Sequence, residues 1–224
     1  VLDNADDNTL VVFSSDHGAI PLNKSVLLNN LFAKKGWIEY SINPNTGEHL
    51  IDWEKSKVVF LKMTSIYVNP NGLGPTWKRG HGKAYERLRD DVIEAITKLR
   101  DGKGLKPLAL AVRWEDANTK LKLPPNRIGD IVVANMPGFS WSEDITEDLK
   151  VFAVPLETGY KQAVIADNVK GLWTPFIISG KGIKKNFKIT HPIKNVDQAP
   201  TIMKALNMPI PDLVQGTPVD EIFE

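Results

Sequence analysis

Hydrophobic positions recur along this chain in three spacings. Short apolar runs closed by turn residues form the first. Leu10-Val11-Val12-Phe13 runs into Ser14-Ser15-Asp16-His17-Gly18, and Trp173-Thr174-Pro175-Phe176-Ile177-Ile178 runs into Ser179-Gly180. Runs of this kind predict buried strands of a mostly parallel sheet. Residues 58–63, 65–69, 108–112, 131–134 and 151–155 read as further short strands. Strict alternation is the second spacing, in Trp37-Ile38-Glu39-Tyr40-Ser41-Ile42 before the turn residues Asn43-Pro44-Asn45-Thr46-Gly47. It predicts a half-buried strand ending in a turn. The third is helical. Tyr85, Leu88, Val92, Ile96 and Leu99 form one stripe over residues 83–100. Val26, Leu27, Leu31 and Phe32 form a looser one over 26–35, with Asn23 or Ser25 as cap and Gly36 as stop. A last helix opens at Asn195 to Asp197 and runs to Leu206.

These patterns predict an α/β fold, a mostly parallel sheet with flanking helices and an inserted smaller α+β lobe. The strands near Val11, Val151 and Phe176 are expected at the centre of the sheet. Residues 1–36 and 149–224 make the core, and residues 37–148, with more hairpin-like strands, make the lobe.

Composition narrows the function classes. The chain has 224 residues and a net charge of +1, so no general basic field argues for a nucleic-acid polymer as partner. No apolar run approaches the ~18 residues of a membrane span. With no cysteine there is no disulfide and no cysteine-based zinc site. The four histidines are His17, His49, His81 and His191. The chain opens on Val1 without a signal peptide, which reads as a start inside something longer and leaves the compartment open.

Asp16-His17-Gly18 is the candidate chemistry. In open α/β sheets, ligands collect beyond the carboxyl ends of strands, where these residues fall. A carboxylate beside an imidazole suits zinc, manganese or iron. Gly18 lets the backbone turn without a Cβ in the way. Catalytic zinc normally has three protein ligands, so a site with two is expected to be empty or weakly filled. His81, in Arg79-Gly80-His81-Gly82, is the candidate substrate contact from the lobe. His191, in Thr190-His191-Pro192, reads as a surface position, and His49 as solvated.

Three segments together resemble the alkaline phosphatase superfamily. They are Val12-Phe13-Ser14-Ser15-Asp16-His17-Gly18, Pro175-Phe176-Ile177-Ile178-Ser179-Gly180-Lys181-Gly182-Ile183-Lys184 and Val196-Asp197-Gln198-Ala199-Pro200-Thr201-Ile202. The closest branch is the type I phosphodiesterase and nucleotide pyrophosphatase group, which Ile51-Asp52-Trp53-Glu54-Lys55-Ser56-Lys57 and Ile66-Tyr67-Val68-Asn69 also resemble. The resemblance implies a divalent metal, zinc or alternatively manganese, held by Asp16 and His17. It also implies a small-molecule phosphate ester as substrate, in a phosphodiester or nucleotide pyrophosphate linkage. The family's nucleophile and other ligands precede such a motif, so the chain is expected to be a C-terminal half that lacks them and is inactive alone. Where the family carries a Ser-Gly-x-His segment, this chain reads Thr158-Gly159-Tyr160-Lys161. Lys161 is therefore the candidate catalytic cation, standing where a second metal's ligand is expected. That departure leaves two alternatives open: a one-metal hydrolase of sulfate or phosphonate esters, and an inactive domain of the same fold.

Overall fold

The computed structural model describes residues 5–61, 64–71, 73, 77–155, 159–160 and 169–224. In chain order its strands and α-helices are β1 (Val11–Ser14), β2 (Ile20–Pro21), β3 (Lys24–Leu27), α1 (Leu28–Lys34), β4 (Tyr40–Ile42), β5 (His49–Ile51), β6 (Val58–Leu61), β7 (Ser65–Val68), α2 (Lys83–Thr97), β8 (Leu108–Arg113), α3 (Trp114–Leu121), β9 (Ile131–Asn135), β10 (Phe139–Ser142), β11 (Phe152–Ala153), β12 (Gly159–Tyr160), β13 (Phe176–Ser179) and α4 (Gln198–Ala205). The fold is mixed α/β, and the chain divides into two compact units. One joins residues 1–18 to 173–224; the other is residues 19–172. The sequence pattern places the bounds at 36/37 and 148/149.

Among the described residues the sheets are largely antiparallel, where a mostly parallel sheet is expected. The largest sheet, in the order β6-β7-β9-β8, is antiparallel throughout. Among the described residues the one parallel pair is β10 with β3. The reason is local. Short turns join β6 to β7 and β4 to β5, where a parallel pair needs a long crossover. β4 and β5, for example, close around the turn at 43–47.

The larger unit holds the main core. Val58, Val59 and Phe60 of β6, Ile66 of β7, Val92 and Ile96 of α2, Leu28 and Phe32 of α1, and Ile131 and Val133 of β9 pack together with almost no exposure. Helix α2 matches its stripe closely. Helix α1 starts two residues late, because Val26 and Leu27 belong to β3, where Val26 pairs with Trp141 and Phe152. Its N-cap position is Leu27, with no side-chain cap, and Ser25 instead lies 3.0 Å from the Ser140 hydroxyl. Two buried asparagines fasten α1. Asn29 bonds both ways with the Phe60 backbone and donates to the Glu143 carbonyl, while Asn30 donates to Thr146 and the Lys150 carbonyl and accepts from the Thr146 amide. Buried amides satisfied on every side fix one register for the helix.

In the smaller unit β1 pairs antiparallel with β13, Val11 opposite Ser179 through Ser14 opposite Phe176. Among the described residues these two strands make a two-stranded ribbon, where a central place in a larger sheet was expected. β11, expected beside them, pairs with β3 in the other unit. Leu10 and Ile178 pack on a small core of Ile183, Val219 and Ile222. The facing pair Phe13 and Ile177 is exposed on the ribbon's other side.

Candidate functional site

β1 ends at Ser14, and the chain turns through Ser15 into Asp16 and His17. These two side chains come together, with Asp16 Oδ2 3.4 Å from His17 Nε2. The Asp16 side chain is 79% exposed and that of His17 36%. His17 Nδ1 lies 2.7 Å from the Gly18 carbonyl oxygen. A carbonyl only accepts, so in the neutral ring Nδ1 carries the proton and Nε2 keeps its lone pair on the side of Asp16. A backbone carbonyl on the far ring nitrogen is the usual support of a metal-binding histidine. The donor set of one carboxylate oxygen and one imidazole nitrogen fits zinc or manganese as part of a ligand shell. No cluster of three His, Cys, Asp or Glu side chains able to hold a metal occurs among the described residues.

The loop backbone is held at three successive carbonyls. Asn195 Nδ2 donates to the Asp16 oxygen at 2.8 Å, Ser15 Oγ to the His17 oxygen at 3.0 Å, and His17 Nδ1 to the Gly18 oxygen. Asn195 opens a 3-10 turn, Asn195–Asp197, just before α4. Sequence reasoning placed Asn195 at a helix start and gave it no part in the site. The conspicuous Asn195-Val196-Asp197 spelling was the available signal, but nothing local ties it to Asp16.

His81 lies in the other unit, exposed, in the loop that leads into α2. That loop is anchored by Arg79. Its guanidinium lies between the rings of Trp77 and Trp114, 5.4 and 4.7 Å from their centroids. Its Nη2 donates to the Pro125 and Ile128 carbonyls at 2.5 and 2.6 Å, and its Nε is 3.7 Å from Asp130 Oδ1. Asp130 has no exposed surface and accepts from the Tyr85 hydroxyl at 2.5 Å and the Val68 amide at 2.7 Å. Burial pushes its carboxyl above the usual carboxylate range. Burial and then Asp130 push the Tyr85 hydroxyl up as well. Gly80 lies flat against Tyr85, where a Cβ would sit 2.7 Å from the ring.

Of the other candidates, Lys161 lies outside the described residues. His191 is exposed at 2.7 Å from Glu221, and its pKa is raised by the Pro192 carbonyl and by Glu221. His49 is not the solvated residue expected: its ring packs on Tyr40 at 5.4 Å and its Nε2 is buried.

Comparison with known proteins follows the same lines. A crystal structure of a mutant of the alkaline phosphatase PafA is similar with a TM-score of 0.57 at 17% identity, over 96% of this chain and 38% of that one. Human ectonucleotide pyrophosphatase / phosphodiesterase 5 is similar with a TM-score of 0.59 at 16% identity, over 97% of this chain and 46% of its own. The murine protein of that name gives 0.55 at 14%, over the same shares. The chain thus spans less than half the length of these structures, and at such identities the likeness concerns the fold. No curated protein matches the chain. The sequence model described as type I phosphodiesterase / nucleotide pyrophosphatase matches residues 1–163. With so much of its length matched, the chain belongs to the type I phosphodiesterase / nucleotide pyrophosphatase family.

Proposed function

We propose that this chain serves a metal-dependent hydrolase of phosphate esters, acting on phosphodiester or nucleotide pyrophosphate bonds, and that Asp16 and His17 bind its metal. The observation that carries the reading is the 3.4 Å pairing of the carboxylate with Nε2, with Nδ1 committed to the Gly18 carbonyl. Family membership supplies the substrate class. The metal is zinc, with manganese as the alternative; when bound, it polarises a phosphoryl oxygen as a Lewis acid. Asp16 contributes the negative charge that compensates the cation, and His17 a neutral donor in a fixed tautomer. Segment 37–148 is read as the substrate-contacting lobe, acting through His81. Lys161 is read as a fixed cation facing the charge that builds on the peripheral oxygens. No residue of this chain is assigned as the nucleophile.

The test uses the complete protein that carries this sequence, assayed on bis-p-nitrophenyl phosphate and on p-nitrophenyl sulfate. Asp16→Asn and His17→Ala should each lower diester hydrolysis by at least 10²-fold, and Lys161→Ala by about 10²–10³-fold in kcat with metal content unchanged. A diester rate that survives Asp16→Asn overturns the reading. The lysine at 161, in place of a histidine, favours a second one: a one-metal hydrolase of sulfate or phosphonate esters. Faster turnover of the sulfate than of the diester selects it.

A further inference from the structure

We infer that Asn195 is a positioning residue for Asp16 and His17, holding the peptide that joins them; the inference rests on the reading of those two as a metal-binding pair. The Asp16 carbonyl and the His17 amide share one rigid plane. Fixing that plane sets both the torsion that aims the Asp16 side chain and the torsion that aims His17. Asn195 Nδ2 donates to that carbonyl at 2.8 Å. The next two carbonyls are held by Ser15 and by His17 itself, from within the loop. Among the described residues, Asn195 makes the hydrogen bond that ties loop 15–18 to a distant part of the same unit, 179 positions along the chain.

Asn195 is itself held. Gln198 Nε2 donates to its Oδ1 at 2.5 Å, which fixes the amide's orientation and strengthens its own N–H as a donor. Its turn is clamped through Asp197, whose Oδ2 accepts from the Lys194 amide at 3.1 Å and whose Oδ1 accepts from the Thr217 amide at 2.9 Å. Thr201 Oγ1 donates to the Asp197 carbonyl and accepts from the Val219 amide. The strand of chain on the other side comes so close that a Cβ at Gly216 would lie 2.0 Å from the Val196 oxygen. The turn therefore cannot drift without moving residues 216–219. An amide on so firm a base acts on the loop as a fixed tether, with no part in ligation.

The experiment measures zinc affinity of the complete protein that carries this sequence by competition with a chromogenic chelator, and backbone order at residues 15–18 of this chain by ¹⁵N relaxation. Asn195→Ala and the isosteric Asn195→Asp, which keeps the shape but offers no N–H, should weaken zinc by about tenfold or more, the usual cost of losing a ligand's support. Both should lower the order of the Asp16, His17 and Gly18 amides while thermal melting stays unchanged. Gln198→Ala should fall between wild type and Asn195→Ala. Wild-type affinity with unchanged loop order in both Asn195 variants overturns the inference. So does an effect of Asn195→Ala that Asn195→Asp does not share. If wild-type zinc binding is absent, or indifferent to Asp16→Asn, the metal reading fails, and the amide order alone then decides whether Asn195 fixes the loop.

Discussion

The two units treat polar groups in opposite ways. In residues 19–172 the charged groups Arg89 and Asp130 are buried and each is held by several partners. The Arg89 side chain, 1% exposed, sits over the Tyr85 ring and bonds Glu115 and Glu86; Asp130, with no exposure, collects Tyr85, Val68 and Arg79. In the smaller unit, Asp16, His17 and Asn195 sit at or near the surface; His17 and Asn195 donate to backbone carbonyls, and Asp16 Oδ2 lies 3.4 Å from His17 Nε2. Perturbed ionisation commonly marks functional sites. Here the raised carboxyl of Asp130 and the raised hydroxyl of Tyr85 mark a structural knot, because the Tyr85 proton is committed to one Asp130 oxygen and the Val68 amide to the other. A site that takes a ligand needs donors left over. The exposed pair presents its atoms to water, whereas Asp130 and Arg89 are closed off from it.

That contrast breaks or sharpens at three places. The largest effect is expected at Asp130. Asp130→Ala strands the Tyr85 hydroxyl and the Val68 amide in the interior and leaves Arg79 without its nearest carboxylate, and should cost about 3–5 kcal/mol, the scale for breaking a buried charge pair. Urea unfolding followed by tryptophan fluorescence reads it. A loss below about 1 kcal/mol would mean the buried network is far less engaged than its geometry states.

A smaller effect, with a pH signature, is expected at Asp101. Lys24, followed by the Leu105 and Lys103 amides, holds its carboxyl down at about 2. The folded value is below the unfolded one of about 3.9, so the folded state binds fewer protons. The contribution is complete above about pH 4 and is lost as pH falls towards 2. Lys24→Met should flatten this part of the urea midpoint against pH, measured from pH 5 to 2.5. An unchanged slope would remove Lys24 as the cause.

The smallest stability effect belongs to the candidate site. Asp16→Asn and His17→Ala should shift unfolding by no more than about 0.5 kcal/mol, as exposed substitutions do. Zinc binding by the complete protein should nonetheless weaken by about tenfold or more in both. A marked loss of stability would place the pair with the structural networks and erase the contrast between the units.

Several local features were legible before any fold was known. The stripe from Tyr85 to Ile96 encodes α2, and Gly36, at φ +66, ends the helix before it as the spelling suggests. The run Leu10 to Phe13 encodes a strand that delivers Asp16 and His17 just past its end. Helix α3 was not legible. Arg113-Trp114-Glu115-Asp116 reads as a charged cluster, and only Ala117 of the helix is fully buried. It exists because Glu115 meets Arg89 from α2 and Trp114 covers Arg79.

What the sequence determined by itself was therefore which residues are apolar on which face, where short elements stop, and which two polar neighbours, Asp16 and His17, follow the end of the first strand. These follow from periods of two or 3.6 residues and from turn chemistry, all within a few positions. The tertiary structure decided strand partners, the antiparallel sense of most sheets, the partners that let Arg89 be buried within the apolar face of its helix, and the reach of Asn195 to the Asp16 carbonyl. An apolar face favours any complementary apolar face, and an amide favours any free carbonyl. Neither preference names its partner, and only the closure of the whole chain brings residues 179 positions apart to 2.8 Å.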